Sequence, residues 1–211
     1  MKAKRVRVKM CGMTRAEDID YAIHLGVDAL GFIFYEKSAR YVSLEQAKLL
    51  LKEVPPFIEL VAVCVNPEKD FVTRLIEELP IQLVQFHGDE EPEFCQKFKK
   101  PYIKAIHPQN EEHILSSMQE FKQAQALLLD TPSATMRGGS GTTFNWNIIP
   151  QRVPKPFILA GGLNEFNLGE AIKSCSPYAV DVCSGIEAVP GIKDHVKMSR
   201  FMAALWDVEN E

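Results

Sequence analysis

Short apolar runs alternate with helix-like segments along the whole chain, and this alternation constrains the fold more than any other feature. Eight apolar runs cover residues 5–11, 29–34, 60–65, 81–87, 102–107, 126–130, 157–160 and 180–183. Helical spacing follows at 15–25, 43–54, 68–79, 92–98, 111–121, 147–151 (short), 167–175 and 194–206. Apolar runs are typical of parallel strands that are buried on both faces. The pattern predicts an α/β fold, a single-domain (β/α)8 TIM barrel over residues 1–211.

Local signals mark several helix ends. Thr14 and Glu17 have capping-box spacing before the first helix, and Gly26 is placed to end that helix. Ser43 is the expected cap of the second helix. A doubly wound open sheet is the alternative architecture, but no glycine-rich dinucleotide fingerprint follows the first strand.

Composition excludes several classes of protein. The 211 residues are 46% hydrophobic and 25% charged, with a formal net charge of −4, which does not favour a nucleic-acid or membrane partner. The first residues are charged and no apolar run approaches the length of a membrane span, so we expect neither a signal peptide nor a transmembrane helix. The five cysteines are scattered and never form a CxxC pair, which favours reduced thiols in a cytoplasmic protein over disulfides or a zinc site.

Side-chain alternation predicts which residues point into the barrel. Val8 and Met10 form the apolar face of the first strand, which leaves Lys9 and Cys11 facing the lumen. By the same argument Asp181 and Cys183 point inward from the eighth strand. The first and eighth strands are neighbours in a closed barrel, so we expect Lys9 and Asp181 to form a buried ion pair.

Polar residues also lie at the ends of other strands, where the carboxyl-terminal ends of the parallel strands form one rim of the barrel. Gln85 and His87 lie on one face of the fourth strand, and Asp130 ends the sixth. A thiol with a lowered pKa serves as a base, so Cys11 is the candidate for that role, although an isolated cysteine is often only a buried apolar residue. Asp130 could instead anchor a loop, and His87 could be a structural hydrogen-bonding residue. Arg40 lies where a guanidinium suits a substrate carboxylate, or where it is only solvated.

Glycine turns follow the last two strands. Gly161-Gly162 and Ser184-Gly185 stand where this fold binds phosphate through backbone amides, although simple turns are the alternative. The glycine-rich stretch 138–141 is either a lid over a small substrate or a plain connection.

Taken in order, these motifs resemble those of the phosphoribosylanthranilate isomerase family of tryptophan biosynthesis. The motifs that match lie at 9–14, 31–35, 38–41, 85–88, 129–130, 138–141, 161–163 and 181–187. Together they cover nearly the whole chain. The family usually has serine at Cys183, commonly leucine at Phe86, and often aspartate at Asn145.

The resemblance implies an Amadori rearrangement of N-(5′-phosphoribosyl)anthranilate with no cofactor and no metal. In that reaction Asp130 is the general acid and Cys11 the general base. The implied substrate-binding set comprises Arg40, His87, Gln85, Asp181, Gly161, Gly162, Ser184 and Gly185. The expected partner is a small phosphorylated substrate, with no nucleic acid and no membrane, and the chain is expected to be a monomer or homodimer.

Three other readings remain open at this stage. One is another sugar-phosphate enzyme of the same fold, such as the histidine-pathway isomerase; its two catalytic carboxylates do not match Cys11. A metal-dependent epimerase needs a His and Asp ligand set that the sequence does not supply. The third is a phosphate-binding barrel without catalytic activity, or a subunit of a larger synthase.

Overall fold

A computed structural model describes residues 5–52, 54–131 and 143–210, and its centre is a closed barrel of eight parallel strands. Each strand pairs with the next along the chain, and β8 pairs with β1. The predicted (β/α)8 barrel is therefore confirmed. The strands are β1 Arg7–Cys11, β2 Ala29–Ile33, β3 Glu59–Cys64, β4 Leu83–Phe86, β5 Tyr102–Ile106, β6 Ala126–Leu129, β7 Phe157–Leu159 and β8 Ala179–Val182.

Helices cover the outside of the barrel. They are α1 Ala16–His24, α2 Leu44–Leu51, α3 Lys69–Glu78, α4 Pro92–Cys95, α5 Glu111–Glu120, α6 Leu168–Cys175 and α7 His195–Asn210. Single 3-10 turns lie at Gln96–Phe98, Trp146–Ile148 and Ser184–Ile186. The predicted short helix at 147–151 is thus one 3-10 turn, and the predicted lid at 138–141 lies outside the described residues. In the described part of the chain, every helix is too short or too polar to span a membrane.

The predicted helix caps differ in outcome. At α2, the Ser43 hydroxyl accepts from the Gln46 amide at 3.2 Å and the Gln46 side chain accepts from the Ser43 amide at 2.9 Å, which is a complete capping box. The capping box predicted at Thr14 is wrong. Arg15 occupies the cap position of α1 without a side-chain cap, because the Thr14 hydroxyl donates instead to the carbonyl of Gly191.

A small antiparallel hairpin follows β8 and was not predicted. Its strands are β9 Glu187–Val189 and β10 Ile192–Lys193. Gly191 turns the chain between them with a φ of 86°, a left-handed conformation that favours glycine. The Pro190-Gly191 pair was the available sequence signal for this turn.

Alternation divides the apolar residues into two layers. The larger layer packs between the barrel and the helices, and it includes Val8 and Met10, as predicted from the first strand. A smaller layer fills the part of the lumen between β5 and β8. It consists of Ile103, Ala105, Ala126, Leu128, Ile158, Ala160 and Ala179. The lumen is therefore a packed core and not a pore. Its buried polar residues include Lys9 and Asp181.

Lys9 and Asp181 form the buried ion pair that alternation predicts. They are register partners across β1 and β8, and the Lys9 ammonium donates to the two Asp181 carboxylate oxygens at 2.9 and 3.0 Å. Only 4% of the Lys9 side chain and 8% of the Asp181 side chain are exposed. Burial lowers the pKa of Lys9, but the charges of Asp181 and Cys11 outweigh it and raise that pKa above its ordinary value. Lys9 is therefore a fixed positive charge beneath the rim.

Lys9→Met should destabilise the fold, because it leaves Asp181 buried without a partner. Breaking a buried ion pair from one side costs about 3–5 kcal/mol. Urea unfolding of the wild type and the variant measures this difference. The control is Lys9→Met combined with Asp181→Asn, which removes both charges and should recover part of the lost free energy of unfolding. If the single variant unfolds at the wild-type urea concentration, the pair does not stabilise the barrel.

Candidate active site

Four chemically reactive side chains meet at the carboxyl-terminal rim of the barrel. Cys11 ends β1, His87 and Asp130 follow β4 and β6, and Cys183 follows β8. His87 Nε2 lies 3.1 Å from Asp130 Oδ2, and Cys183 packs against the cluster that contains Cys11, all at the ends of strands of one closed barrel. The sequence prediction that these residues share one face is therefore confirmed.

The thiol of Cys11 lies in a small apolar pocket and beside a second thiol. It packs with Val61 and Val63, is 5% exposed, and the thiol of Cys183 packs against the same cluster. Hydrogen bonding from the Cys183 thiol lowers the pKa of Cys11 most; burial raises that pKa, and the positive charge of Lys9 lowers it further. Together with a second lysine, these interactions hold the pKa of Cys11 well below its ordinary value.

The second lysine is Lys193 in the hairpin, which the sequence analysis did not identify. Its side chain is fully buried, and its ammonium donates to the carbonyl oxygens of Cys11 at 2.6 Å and Cys183 at 3.1 Å. A third bond of 3.1 Å reaches the Glu187 carboxylate, and the ammonium lies 3.9 Å from the Cys183 sulfur. Lys193 thus fixes the hairpin over the ends of β1 and β8 and brings a positive charge to both thiols.

Arg40 lies at the same rim and is paired inside the protein. Its Nε donates to Glu187 Oε1 at 2.8 Å and its NH2 group donates to Oε2 at 2.6 Å, a two-pronged contact. Burial raises the pKa of Glu187, but Arg40 and Lys193 outweigh it and hold that pKa below its ordinary value. The guanidinium has five N–H donors, so about three remain for another acceptor. Glu187 is the second residue at this rim to which the sequence analysis gave no role.

Asp130 is held by a chain of hydrogen bonds across the rim. Gln85 Nε2 donates to His87 Nδ1 at 2.9 Å, which leaves the proton of the neutral ring on Nε2. His87 Nε2 then donates to Asp130 Oδ2 at 3.1 Å, and the amide of Thr131 donates to Oδ1 at 2.8 Å. Asp130 therefore anchors the start of its loop, as one reading of the sequence expected, while its carboxylate also lies at the shared space. The Gln85 Oε1 atom is buried with no hydrogen-bond partner among the described residues.

Glycine is required at both predicted phosphate turns, for the backbone conformation at Gly161 and Gly162 and for close packing at Gly185. Gly161 and Gly162 both have left-handed backbones, with φ of 83° and 69°, which turn the chain sharply after β7. At Gly185 a side chain would overlap the carbonyl oxygen of Leu163. The packing of the two loops against each other is therefore sufficient to require glycine at Gly185. The turn at Ser184 begins a 3-10 helix, whose first amides have no acceptor within that helix.

Lys193→Met should raise the pKa of Cys11, because it removes a positive charge that stabilises the thiolate. We expect the pH profile of Cys11 alkylation by iodoacetamide, measured by peptide mass spectrometry, to move to higher pH. Lys197→Met is the matched control, since Lys197 donates to the Glu187 carbonyl at 2.7 Å and does not contribute to the lowered pKa of Cys11. Superimposable profiles for wild type and Lys193→Met would show that Lys193 holds only the backbone.

Comparison with known proteins identifies the family. Residues 8–204 match the family model described as N-(5′-phosphoribosyl)anthranilate isomerase. The Legionella pneumophila (strain Lens) protein of that name is 64% identical and covers 98% of this chain and 100% of its own length. The Thermotoga maritima phosphoribosyl anthranilate isomerase structure has a TM-score of 0.87 at 39% identity, over 96% of this chain and 99% of its own. A second solved isomerase, in complex with reduced 1-(o-carboxyphenylamino)-1-deoxyribulose 5-phosphate, has a TM-score of 0.81 at 35% identity, over 96% and 99%. With a barrel, rim and sequence of this kind, the chain belongs to the N-(5′-phosphoribosyl)anthranilate isomerase family.

Proposed function

We propose that the chain converts N-(5′-phosphoribosyl)anthranilate to 1-(2-carboxyphenylamino)-1-deoxyribulose 5-phosphate, with no cofactor and no metal, as a step of tryptophan biosynthesis. The observation that carries this proposal is the Cys11 thiol, which lies between two buried lysines at the same rim as Asp130. A thiolate base and a carboxylic acid are the pair that an aldose–ketose rearrangement requires. The solved relative that holds a reduced form of this ketone supports the same substrate class.

The first step assigns the acid to Asp130. Its carboxyl group gives a proton to the ribose ring oxygen, the bond from that oxygen to C1′ breaks, and the anthranilate nitrogen forms a Schiff base with C1′. The donors His87 and Thr131 each occupy one carboxylate oxygen. A carboxylate offers about four lone-pair positions, so each oxygen keeps one for the transferred proton. In this role His87 orients the Asp130 carboxyl group through Nε2. Gln85 holds the other ring nitrogen, Nδ1, and so fixes the imidazole.

The second step assigns the base to Cys11. The thiolate removes the proton from C2′, the electrons of that bond form the C1′–C2′ double bond, and the Schiff-base nitrogen becomes neutral. The enolamine then tautomerises to the ketone. The Cys183 thiol, Lys9 and Lys193 favour the thiolate before the step, so a weak acid of this type serves as base near neutral pH.

We assign substrate binding to hydrogen-bonding groups that the internal contacts of the protein do not fully use. The free donors of Arg40 suit the anthranilate carboxylate, and the backbone amides of Gly162, Ser184 and Gly185 suit the phosphate. Gly161 shapes the first of these turns. The unpartnered Gln85 Oε1 suits a substrate hydroxyl, because buried acceptors generally find a donor. Both oxygens of Asp181 already bind Lys9, so we propose that Asp181 acts on the substrate through that ammonium.

The biological setting is part of the same proposal. We place the chain in the cytoplasm as a single domain over residues 1–211, a monomer or homodimer with no nucleic-acid or membrane partner. One solved relative, from Thermotoga maritima, is described as a dimeric isomerase from which monomers were generated. Sedimentation of the purified chain distinguishes the two oligomeric states.

Cys11→Ala and Asp130→Asn should each reduce turnover, because each removes one partner of a proton transfer. General acids and bases contribute ~10²–10⁴-fold, so we expect kcat to fall by that factor with a much smaller change in KM. Single-turnover assays of the purified variants measure the chemical step. Cys175→Ser and Asp207→Asn are the controls, because Cys175 ends α6 and Asp207 lies on α7, both outside the rim.

Near-wild-type turnover in either variant would remove that residue from its role. The wider alternative, a barrel that binds phosphate without catalysis or needs a larger synthase, has a separate test. The chain alone should restore growth without tryptophan to a host that lacks the isomerase. No growth, together with no activity of the folded and purified chain, would favour that alternative.

Inorganic phosphate should bind at the two glycine turns and compete with the substrate. In crystals grown with phosphate, we expect the anion beside the amides of Gly162, Ser184 and Gly185. Inhibition should be competitive, because the anion occupies the position of the substrate phosphate. An anion seen only elsewhere on the surface would count against this site. A larger residue at Gly185 is not a useful test, because it would collide with the carbonyl of Leu163.

A further inference from the structure

The contact between Cys11 and Cys183 brings two thiols together at the rim, and acid–base catalysis needs only one of them. We infer that this pair is an oxidisable dithiol, which a hydroperoxide converts to an intramolecular disulfide that inactivates the site. The loss of activity rests on the proposed role of Cys11 as base. Formation of the disulfide does not depend on that role and is measured separately.

The strand pairing places the two residues at disulfide distance. Met10 and Val182 are the last register partners of β1 and β8, and Cys11 and Cys183 are the next residue after each of them. Neighbouring strands lie about 4.7–4.9 Å apart, within the roughly 4.4–6.8 Å between Cα atoms that a disulfide spans. The two side chains also share one packed cluster with Val61 and Val63, so the sulfur atoms lie on the same side of the barrel wall.

The surroundings of the five cysteines select this pair. Burial raises the pKa of Cys64 to about 12 and that of Cys95 to about 12, and it raises the pKa of Cys175 to about 11. The environment of Cys11 has the opposite effect and favours its thiolate. Because the thiolate is the species that peroxide oxidises, Cys11 should react first.

The chemistry balances with one equivalent of hydroperoxide. The Cys11 thiolate attacks the outer peroxide oxygen, the O–O bond breaks, and a sulfenic acid and one water (or alcohol) form after protonation. The sulfur of Cys183 then attacks the Cys11 sulfur, the S–O bond breaks, and the hydroxide leaves as a second water with the thiol proton. Two thiols are oxidised to one disulfide while the peroxide is reduced.

Cys183 is placed to become reactive only after the first step. In the reduced protein the hydrogen bond to Cys11, burial and the Cys11 charge raise the pKa of Cys183 and keep it protonated. Conversion of Cys11 to a neutral sulfenic acid removes that negative charge. Lys193, 3.9 Å from the Cys183 sulfur, then remains as a positive charge that favours its thiolate. The second thiol thus attacks the sulfenic acid before further peroxide oxidises it irreversibly.

The test oxidises the purified full chain with hydrogen peroxide and follows mass, peptide map and activity. The wild type should lose two hydrogens, show a Cys11–Cys183 cross-linked peptide, and fall to less than about one hundredth of its activity, in line with loss of a general base. Dithiothreitol should restore the activity. Cys183→Ser should give no cross-link, and excess peroxide should oxidise its Cys11 to the sulfinic acid, so dithiothreitol should not restore its activity. Cys175→Ser is the matched control and should behave as the wild type.

The outcomes separate this inference from the proposed function. Oxygen addition at Cys11 in the wild type, with no cross-linked peptide, overturns the dithiol and leaves the acid–base assignment intact. A cross-link that leaves activity unchanged supports the dithiol and removes Cys11 from the role of base. Each activity is compared with the reduced form of the same variant, so a change in basal turnover of Cys183→Ser does not affect the result.

Discussion

Closure of the barrel between β1 and β8 brings the two ends of the chain together, and the Lys9–Asp181 pair lies on that seam. A buried ammonium is costly to remove from water, and it is stable here because both oxygens of one carboxylate accept its protons. The pair is possible only when the strands meet in this register. Cys11 and Cys183 lie one pleat above it, so the contact that closes the barrel also sets the charge beneath the thiols.

The hairpin adds a second layer of charge above the seam. Its carboxylate, Glu187, accepts bonds from both Arg40 and Lys193. Around the Cys11 thiol, the seam contributes Lys9 and Asp181, and the hairpin contributes Lys193 and Glu187. Arg40, which follows β2, adds a third cation. The positive charges of Lys9 and Lys193 favour the thiolate of Cys11. The lowered pKa of Cys11 follows from this local balance together with the hydrogen bond from the neighbouring thiol.

Sequence reasoning succeeded where the controlling pattern was local. A period of two along a strand assigned Lys9 and Asp181 to the lumen, and closure of the barrel then made them partners. Sequence reasoning failed where a contact joined segments that are distant along the chain. Lys193 lies 182 residues from the Cys11 carbonyl that it binds, and no spacing rule links them. At Thr14 the sequence predicted a helix cap, but the Thr14 hydroxyl donates to the carbonyl of Gly191 in the hairpin, which lies far along the chain.

Arg40 shows the same limit in a different form. Its position at the rim was predicted, but its tightest partner is Glu187, 147 residues away, inside the protein. The sequence predicted a cation for the substrate, whereas the structure shows one that first holds the hairpin in place. Glu187 fixes the direction of the Arg40 guanidinium before any ligand binds. A ligand carboxylate at the remaining Arg40 donors would therefore meet a group that is already oriented.

The environment of Cys11 has two chemical consequences that cannot be separated. A thiolate stable enough to serve as base near neutral pH is also the form that peroxide attacks. A serine at Cys183, as the family usually has, offers a hydrogen bond to that thiolate but no sulfur to react with it. Cysteine at this position keeps a hydrogen-bond donor and, in the dithiol proposed above, adds a route by which an oxidised Cys11 is recovered by reduction. The proposed base and the proposed redox pair therefore depend on the same electrostatic environment.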